Sequence, residues 1–305
     1  MRDTIYFKQA ELLLRVLPLI QSESVFALKG GTAINFFVRD MPRISVDIDL
    51  VYLPVNDRET ALSQMSDALN RISAAIEKRF PGTQIAQRKI NGGQFLKGMI
   101  VRREGVTVKI EPNLVLRGTV YEPETRSLCG KAEDLFELSM EIRTLSTAEL
   151  YGGKICAALD RQHPRDFFDV SVLLGNEGFT EKIRKAFIVY LISHDRPIFE
   201  VLNPNPTDIR PIFEKEFRGM VTEPVTCEQL TETRQQLIES ISADLTVEEK
   251  QFIVSVKEGR PKWDLLGLEG VEKLPAVRWK LLNIAKIDPE KHRKAVLTLR
   301  DYLGV

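Results

Sequence analysis

Apolar residues recur along the first 145 residues with helical spacing in some stretches and with strand-like alternation in others. This pattern predicts helices over residues 4–20, 32–38 and 59–80, and strands over residues 25–29, 45–53, 83–89, 94–103 and 106–111. Gly-containing turns at residues 91–93 and 104–105 separate the last three strands, which predicts an antiparallel meander. We expect Pro112-Asn113 to end the last of these strands.

From about residue 146 the pattern becomes helical. Residues 146–149 (STAE) have the form of a capping box, so a helix is expected from there to about Arg161, and Pro164 suits the first turn of the next helix. Further helices are predicted over residues 180–193, 227–243, 246–257 and within 275–303, with a proline-rich loop at 203–211. The predicted fold class is therefore α+β, with an α/β domain containing a mixed sheet over residues 1–145 and an α-helical domain over residues 146–305.

Composition narrows the possible functions only slightly. The chain has 305 residues, 43 Lys and Arg, and 43 Asp and Glu, which suits an ordinary globular protein of about two domains. The chain contains no apolar run of about 18 residues, so no membrane span is predicted. Its three scattered cysteines predict neither a disulfide framework nor a zinc site. The expected location is cytoplasmic.

The zero net charge does not exclude nucleic acid as a partner, because a local basic face is sufficient for binding. Residues 273–305 hold eight Lys and Arg against three acids, with Trp279 among them. This stretch could bind RNA phosphates. The alternative is a solvated helix whose Trp279, Leu281 and Leu282 join the core.

The most informative strand is the one that carries a D-x-D pattern. Ser45, Asp47 and Asp49 share one face of the strand, and the intervening apolar residues occupy the other. The two carboxylates lie about 7 Å apart along the strand and repel each other unless a partner is present. A divalent cation such as Mg²⁺ would remove this conflict, since it prefers oxygen ligands. The alternative is an exposed strand edge that the charges protect from aggregation.

A third carboxylate, Glu111, ends the predicted strand over residues 106–111. If this strand neighbours the D-x-D strand, Glu111 joins Asp47 and Asp49. Three carboxylates on adjacent strands can hold two metal ions, which position a nucleoside triphosphate and an attacking hydroxyl. The alternative is a surface residue preceding Pro112.

A glycine turn, Gly30-Gly31-Thr32, precedes the D-x-D strand and leads into a predicted helix. Glycines let a ligand approach the backbone closely, and N–H groups at such a turn suit phosphate. The carboxylates and this turn together favour phosphoryl chemistry.

These motifs resemble the nucleotidyltransferase superfamily, whose pattern is G-[GS], a spacer and D-x-[DE]. Two blocks are more closely similar to the AbiEii/AbiGii family of toxins. They are LKGGTA (28–33) with R-x-S-x-D-I-D-L (43–50), and E-L-Y-x-G-K-x-C-A-A-L-x-R-x-x-P-R-D-F-F-D (149–169). The resemblance implies a bilobed nucleotidyltransferase whose helical domain completes the cleft, acting as the toxin of a bacterial toxin–antitoxin or phage-defence system.

The resemblance also implies roles for individual residues. The metal ligands would be Asp47 and Asp49, with Glu111 as a third ligand or as a base where relatives more often place Asp. The nucleotide would lie against Lys29, Gly30, Gly31, Thr32, Ser45, Lys154 and Arg161, with Lys154 on the triphosphate and with Asp166 and Asp169 completing the cleft. Lys154 and Arg161 of this second block, and Ser45, also have alternatives to a nucleotide-binding role. The cations could pair with nearby carboxylates or form a solvated helix face, and Ser45 could be a cap or turn partner.

The function implied by this resemblance is transfer of a nucleoside monophosphate from an NTP to an RNA hydroxyl, with release of pyrophosphate. The cofactor would be Mg²⁺, with Mn²⁺ as the alternative ion. The expected acceptor is the 3′ end of tRNA, so that translation is blocked, and the expected protein partner is a cognate antitoxin encoded nearby. Alternatives are a nucleotidyltransferase acting on a protein or a small molecule such as an antibiotic, and a non-catalytic nucleotide-binding or interaction module.

Overall fold

The computed structural model describes residues 4–91 and 93–305, which divide into two units. The first contains the described residues up to Ser146 together with Gly219–Pro224, and the second contains Thr147–Arg218 and Val225–Val305. The sequence predicts that residues 219–224 belong to the helical domain, whereas the structure places them in the first unit. Backbone hydrogen bonds explain it, because Ile44 N donates to Met220 O (2.7 Å) and Thr222 N donates to Pro42 O (3.0 Å).

A seven-stranded mixed sheet forms the centre of the first unit. Its strands are β1 (Phe26–Lys29), β2 (Asp47–Tyr52), β3 (Gln84–Lys89), β4 (Leu96–Arg103), β5 (Val106–Arg117), β6 (Glu124–Ser127) and β7 (Glu141–Thr144). Their spatial order is β3-β4-β5-β2-β1-β7-β6, with parallel pairing of β2 with β5 and of β1 with β7. The predicted meander of β3, β4 and β5 is confirmed. Gly92, in the first of its predicted turns, lies outside the described residues.

In the described part of the first unit, four α-helices accompany this sheet: α1 (Ile5–Gln21), α2 (Gly30–Ala33), α3 (Arg58–Arg79) and α4 (Gly130–Phe136). Helix α1 begins where the Thr4 side chain accepts a hydrogen bond from Phe7 N, which satisfies one of the free N–H groups of the first turn. Helix α2 continues into a π-helical turn at Ile34–Val38. The apolar faces of α1 and α3 pack on β5 and β4, respectively, which places the core on that side of the sheet.

The prediction that β5 ends at Pro112-Asn113 is wrong. Pro112 pairs with Leu50 of β2, and the pairing resumes at Arg117 after a change of register. Strand β5 pairs with β4 only as far as Ile110. Pro112, which lacks an N–H group, therefore interrupts no hydrogen bond between β5 and β4. The elements β6, α4 and β7 were not predicted. The two strands are only four residues long, too short for their alternation to be recognised.

The second unit is helical. Its helices are α5 (Thr147–Arg161), α6 (Pro164–Gly175), α7 (Glu181–Ser193), α8 (Ile198–Leu202), α9 (Arg210–Ile212), α10 (Cys227–Asp244), α11 (Val247–Lys257), α12 (Pro275–Ile284) and α13 (Pro289–Leu303). The sequence predicts all of these except the short α8 and α9. Gly152 lets α5 pack closely on α7, because a Cβ atom at this position would lie 2.7 Å from Phe187 N. None of the described helices is both long and apolar enough to cross a membrane.

Candidate active site

The D-x-D strand and the strand of Glu111 are neighbours, which is the condition that the predicted grouping of three carboxylates requires. Strands β2 and β5 are parallel neighbours, with Asp49 opposite Glu111 and Asp47 opposite Lys109. Asp47 and Asp49 are half-buried, whereas the intervening Ile48 is fully buried. The D-x-D strand therefore directs its apolar face into the core, as its alternation predicts.

The glycine turn lies directly against this strand. Gly30 has a left-handed φ of +73°, and a Cβ atom here would lie 2.5 Å from Asp49 Oδ2. A Cβ atom on Gly31 would lie 2.6 Å from Arg43 Nη2 and 3.0 Å from Ser45 Oγ. Gly30 therefore requires glycine, because of its φ and its close approach to Asp49, whereas a methyl group at Gly31 would displace the buried Arg43 side chain.

Thr32 ties the start of α2 to β2. Its buried hydroxyl donates to Asp47 O at 2.5 Å and is 3.0 Å from Ser45 Oγ. Ser45 thus contacts the start of this helix, as its alternative role as a turn partner predicts. These bonds hold the Gly30-Gly31 backbone beside the carboxylates of β2.

A Gly30→Ala substitution tests this close approach. We expect a lower free energy of unfolding for two reasons: a positive φ costs an alanine about 1 kcal/mol, and the new methyl group collides with Asp49. Urea unfolding measures the loss. Gly82→Ala is a matched control, because Gly82 has a similar φ of +84° but nothing within 4 Å of the added Cβ. Equal losses in the two variants would contradict the contact with Asp49.

Glu111 forms an ion pair that the sequence did not predict. Arg88 of β3 donates to Glu111 of β5, although β4 lies between them. The path is open because Arg88 is in register with Gly98, where an added Cβ atom would lie 3.3 Å from Glu111 Cγ and 2.5 Å from Ile110 O. No local pattern signals this pair, since it depends on the register of three strands.

Within residues 4–91 and 93–305, the side chains do not form a group of three or more His, Cys, Asp or Glu that could hold a metal ion. The donor set around Asp47 and Asp49 nevertheless has suitable chemistry, because both residues supply the carboxylate oxygens that Mg²⁺ prefers. Glu111, the third member of this set, is engaged by Arg88. The roles assigned to these residues remain predictions.

The second sequence block forms a buried ion network between α5 and α6. Lys154 Nζ lies 2.8 Å from Asp166 Oδ1 and 2.9 Å from Asp169 Oδ2, and Arg161 Nε lies 2.5 Å from Asp166 Oδ2. The side chain of Lys154 is 6% exposed and that of Asp166 is completely buried, whereas that of Arg161 is 59% exposed. The two cations thus pair with nearby carboxylates, as one of the alternatives states.

The pKa of Asp166 reflects this network. Burial by itself would raise the pKa, but the charges and hydrogen bonds of Lys154 and Arg161 outweigh it and hold the pKa well below its usual range. Asp166 is therefore a carboxylate at neutral pH, and it compensates the charge of buried Lys154.

Arg43 is a further residue whose position only the structure reveals. It belongs to the first sequence block but had no assigned role. Its side chain is almost fully buried beside Gly31, and its Nη1 donates to Ile44 O at 3.0 Å. A buried guanidinium next to the glycine turn places fixed positive charge there.

Comparison with known proteins settles the family of this chain. A protein-family model described as "Nucleotidyl transferase AbiEii toxin, Type IV TA system" matches residues 11–283. The chain belongs to this AbiEii family. Both sequence blocks lie inside the matched range. Membership makes this AbiEii-family protein a nucleotidyltransferase toxin of a type IV toxin–antitoxin system, in which an antitoxin is the partner.

The fold of this AbiEii-family toxin is similar to that of a solved toxin structure. MenT4, a nucleotidyltransferase toxin from Mycobacterium tuberculosis H37Rv, matches it with a TM-score of 0.60 and 13% sequence identity, over 97% of this chain and 93% of that chain. This likeness confirms the predicted nucleotidyltransferase-like α+β fold. No curated protein sequence matches the chain.

Proposed function

We propose that this AbiEii-family toxin transfers a nucleoside monophosphate from an NTP to a hydroxyl of RNA, with the 3′ end of tRNA as the acceptor. The hydroxyl gives up its proton, its oxygen forms a bond to the α-phosphorus, the bond between the α-phosphorus and the α–β bridging oxygen breaks, and pyrophosphate leaves. A blocked tRNA end would stop translation. The observation that carries the proposal is the register of Asp49 with Glu111 on neighbouring strands, beside the turn at Gly30.

In this proposal Asp47 and Asp49 hold Mg²⁺, or Mn²⁺ as the alternative ion, and Glu111 is the third ligand or the base. When bound, the ion neutralises charge on the phosphates. The backbone N–H groups at Gly30 and Gly31 are proposed to donate to a phosphate, since this turn starts α2 and lies beside the carboxylates of β2.

The remaining proposed nucleotide contacts are cationic. Lys154 and Arg161 would supply positive charge to the triphosphate, and Asp166 and Asp169 would hold these cations in their orientation. Lys29, Thr32 and Ser45 complete the proposed set: Thr32 and Ser45 support the turn, and Lys29 precedes it.

A labelling assay tests this function. Purified toxin is incubated with total tRNA, Mg²⁺ and each α-³²P-labelled NTP in turn, and the Asp49→Asn variant is assayed beside it. We expect wild-type toxin alone to label tRNA, and the preferred NTP to emerge from the same experiment. Glu141→Gln is a matched control, because Glu141 is an exposed carboxylate on strand β7 of the same sheet.

The other outcomes favour the alternative functions. Mg²⁺-dependent NTP binding without labelled tRNA would favour a protein or small-molecule acceptor. Absence of NTP binding, together with unchanged toxicity of the Asp47→Asn and Asp49→Asn variants, would favour a non-catalytic module.

A further inference from the structure

Helix α12 is fixed in the second unit by one face. Its buried residues include Val277, Lys280 and Ile284. Lys280 Nζ donates to two backbone carbonyl oxygens that follow α7, those of His194 (2.7 Å) and Arg196 (2.5 Å). This double contact sets the rotation of α12 about its axis, so the other face must point outward.

The outward face of α12 combines an aromatic ring with cations. Trp279 and Leu282 are each 56% exposed, so the alternative that places them in the core is wrong. Arg278, the residue before Trp279, is exposed, and its Nε donates to Glu272 O at 3.2 Å. Lys286 Nζ lies 6.0 Å from the centre of the Trp279 ring. A tryptophan left in solvent between cations is unusual for a residue with only a packing role.

All charged residues of α12 itself are cations, and the half-buried Glu272 lies just before the helix. Residues 275–284 contain no Asp or Glu, and exposed Lys273 lies just before them. The nearest acids along the chain toward its end already have local partners: Asp288 accepts from Lys291 N at the start of α13, and Glu290 pairs with Lys294 at 2.8 Å. The outward face of α12 thus suits a polyanion that carries flat rings.

We propose that this face is a stacking site for single-stranded nucleic acid, with a base on Trp279 and backbone phosphates on Arg278 and Lys286. Single-stranded nucleic acids are typically bound by aromatic rings set among cations, because every base has a stacking face and every linkage has a charge. The inference deepens the proposed function, since it rests on RNA as the acceptor class, but its test requires no catalysis.

A protein partner is less consistent with this surface. Protein interfaces bury a continuous apolar centre from which charged residues are depleted. Here the two exposed apolar side chains of α12 share their face with Arg278 and, one turn beyond Leu282, with Lys286. An acidic protein would satisfy the charges, but only a nucleic acid brings a flat ring together with every charged linkage.

Binding of a single-stranded oligouridylate of about 12 nucleotides tests the proposal, with anisotropy of a labelled oligonucleotide as the measurement. Trp279→Leu keeps an apolar side chain but removes the large ring, and we expect it to weaken binding about ten-fold. Trp279→Phe keeps a stacking ring and should retain most of the affinity. Both substitutions are at an exposed position, and circular dichroism checks that the fold is unchanged.

Salt dependence and intrinsic fluorescence give independent measurements. Each of Arg278→Gln and Lys286→Gln should reduce the slope of log affinity against log salt by about 0.7. Binding should quench tryptophan fluorescence in wild-type toxin and not in Trp279→Phe. The chain's second tryptophan, Trp263, packs against Phe252 at 5.7 Å between ring centres and should not respond.

Several results would overturn the proposal: unchanged binding by Trp279→Leu, equal losses in the Leu and Phe variants, or equally effective competition by poly-glutamate, which would indicate a surface for an acidic protein. The Asp49→Asn variant separates this inference from the proposed function. Transfer to tRNA without oligonucleotide binding would overturn the stacking site alone. Binding by wild type and Asp49→Asn, with no transfer by wild type, would support the stacking site and overturn the proposed function.

Discussion

The Asp166→Asn substitution is expected to lower the free energy of unfolding by about 3 kcal/mol, because it leaves the charge of buried Lys154 with only one carboxylate partner. Urea unfolding near neutral pH measures this loss. Arg161→Gln is the matched control from the same network. It should cost less than about 1 kcal/mol, because Arg161 is 59% exposed and water replaces much of its interaction.

The difference in stability between wild type and Asp166→Asn should also depend on pH. The pKa of Asp166 is lower in the folded than in the unfolded chain, so the unfolded chain binds the proton more readily. The stabilisation that the Asp166 carboxylate provides is fully present well above about pH 4, the ordinary pKa of aspartate. It is lost as the pH falls below that value. The difference in stability between wild type and Asp166→Asn should therefore narrow as the pH falls from about 5 to about 3. A constant difference over that range would contradict the charged state of Asp166.

The Asp49→Asn substitution is expected to reduce nucleotide transfer by a factor of about 100 or more, because it removes a proposed metal ligand and its negative charge. Its effect on stability should be small, about 0.5 kcal/mol or less, since Asp49 is only half-buried and asparagine has nearly the same shape. Single-turnover labelling of tRNA measures the first effect and urea unfolding measures the second.

Two further variants sharpen this prediction. Asp47→Asn should reduce nucleotide transfer as much as Asp49→Asn does. Asp49→Glu should also reduce transfer, because its longer side chain must move away from the turn at Gly30. Full transfer activity in Asp49→Asn would refute the proposed role of the D-x-D face. A large loss of stability would instead indicate that Asp49 is a structural residue.

Each sequence block as a whole predicted the family and the fold better than any of its residues does alone. The alternation in the D-x-D strand and the glycine turn were recognisable because both are local patterns. The longer helices of the second unit were recognisable from their apolar periodicity. By contrast, β6, α4 and β7 are short elements, and β5 continues past Pro112 only because β2 pairs with it.

Local periodicity in the sequence therefore determined the class of fold, most helix bounds and the face on which Asp47 and Asp49 lie. Tertiary structure alone decided three other features: Arg88 reaches Glu111 across Gly98, Lys154 is buried between Asp166 and Asp169, and Trp279 faces outward. The physical reason is distance along the chain. A spacing of two to four residues sets which face a side chain occupies, whereas strand register and helix rotation depend on residues far away in sequence.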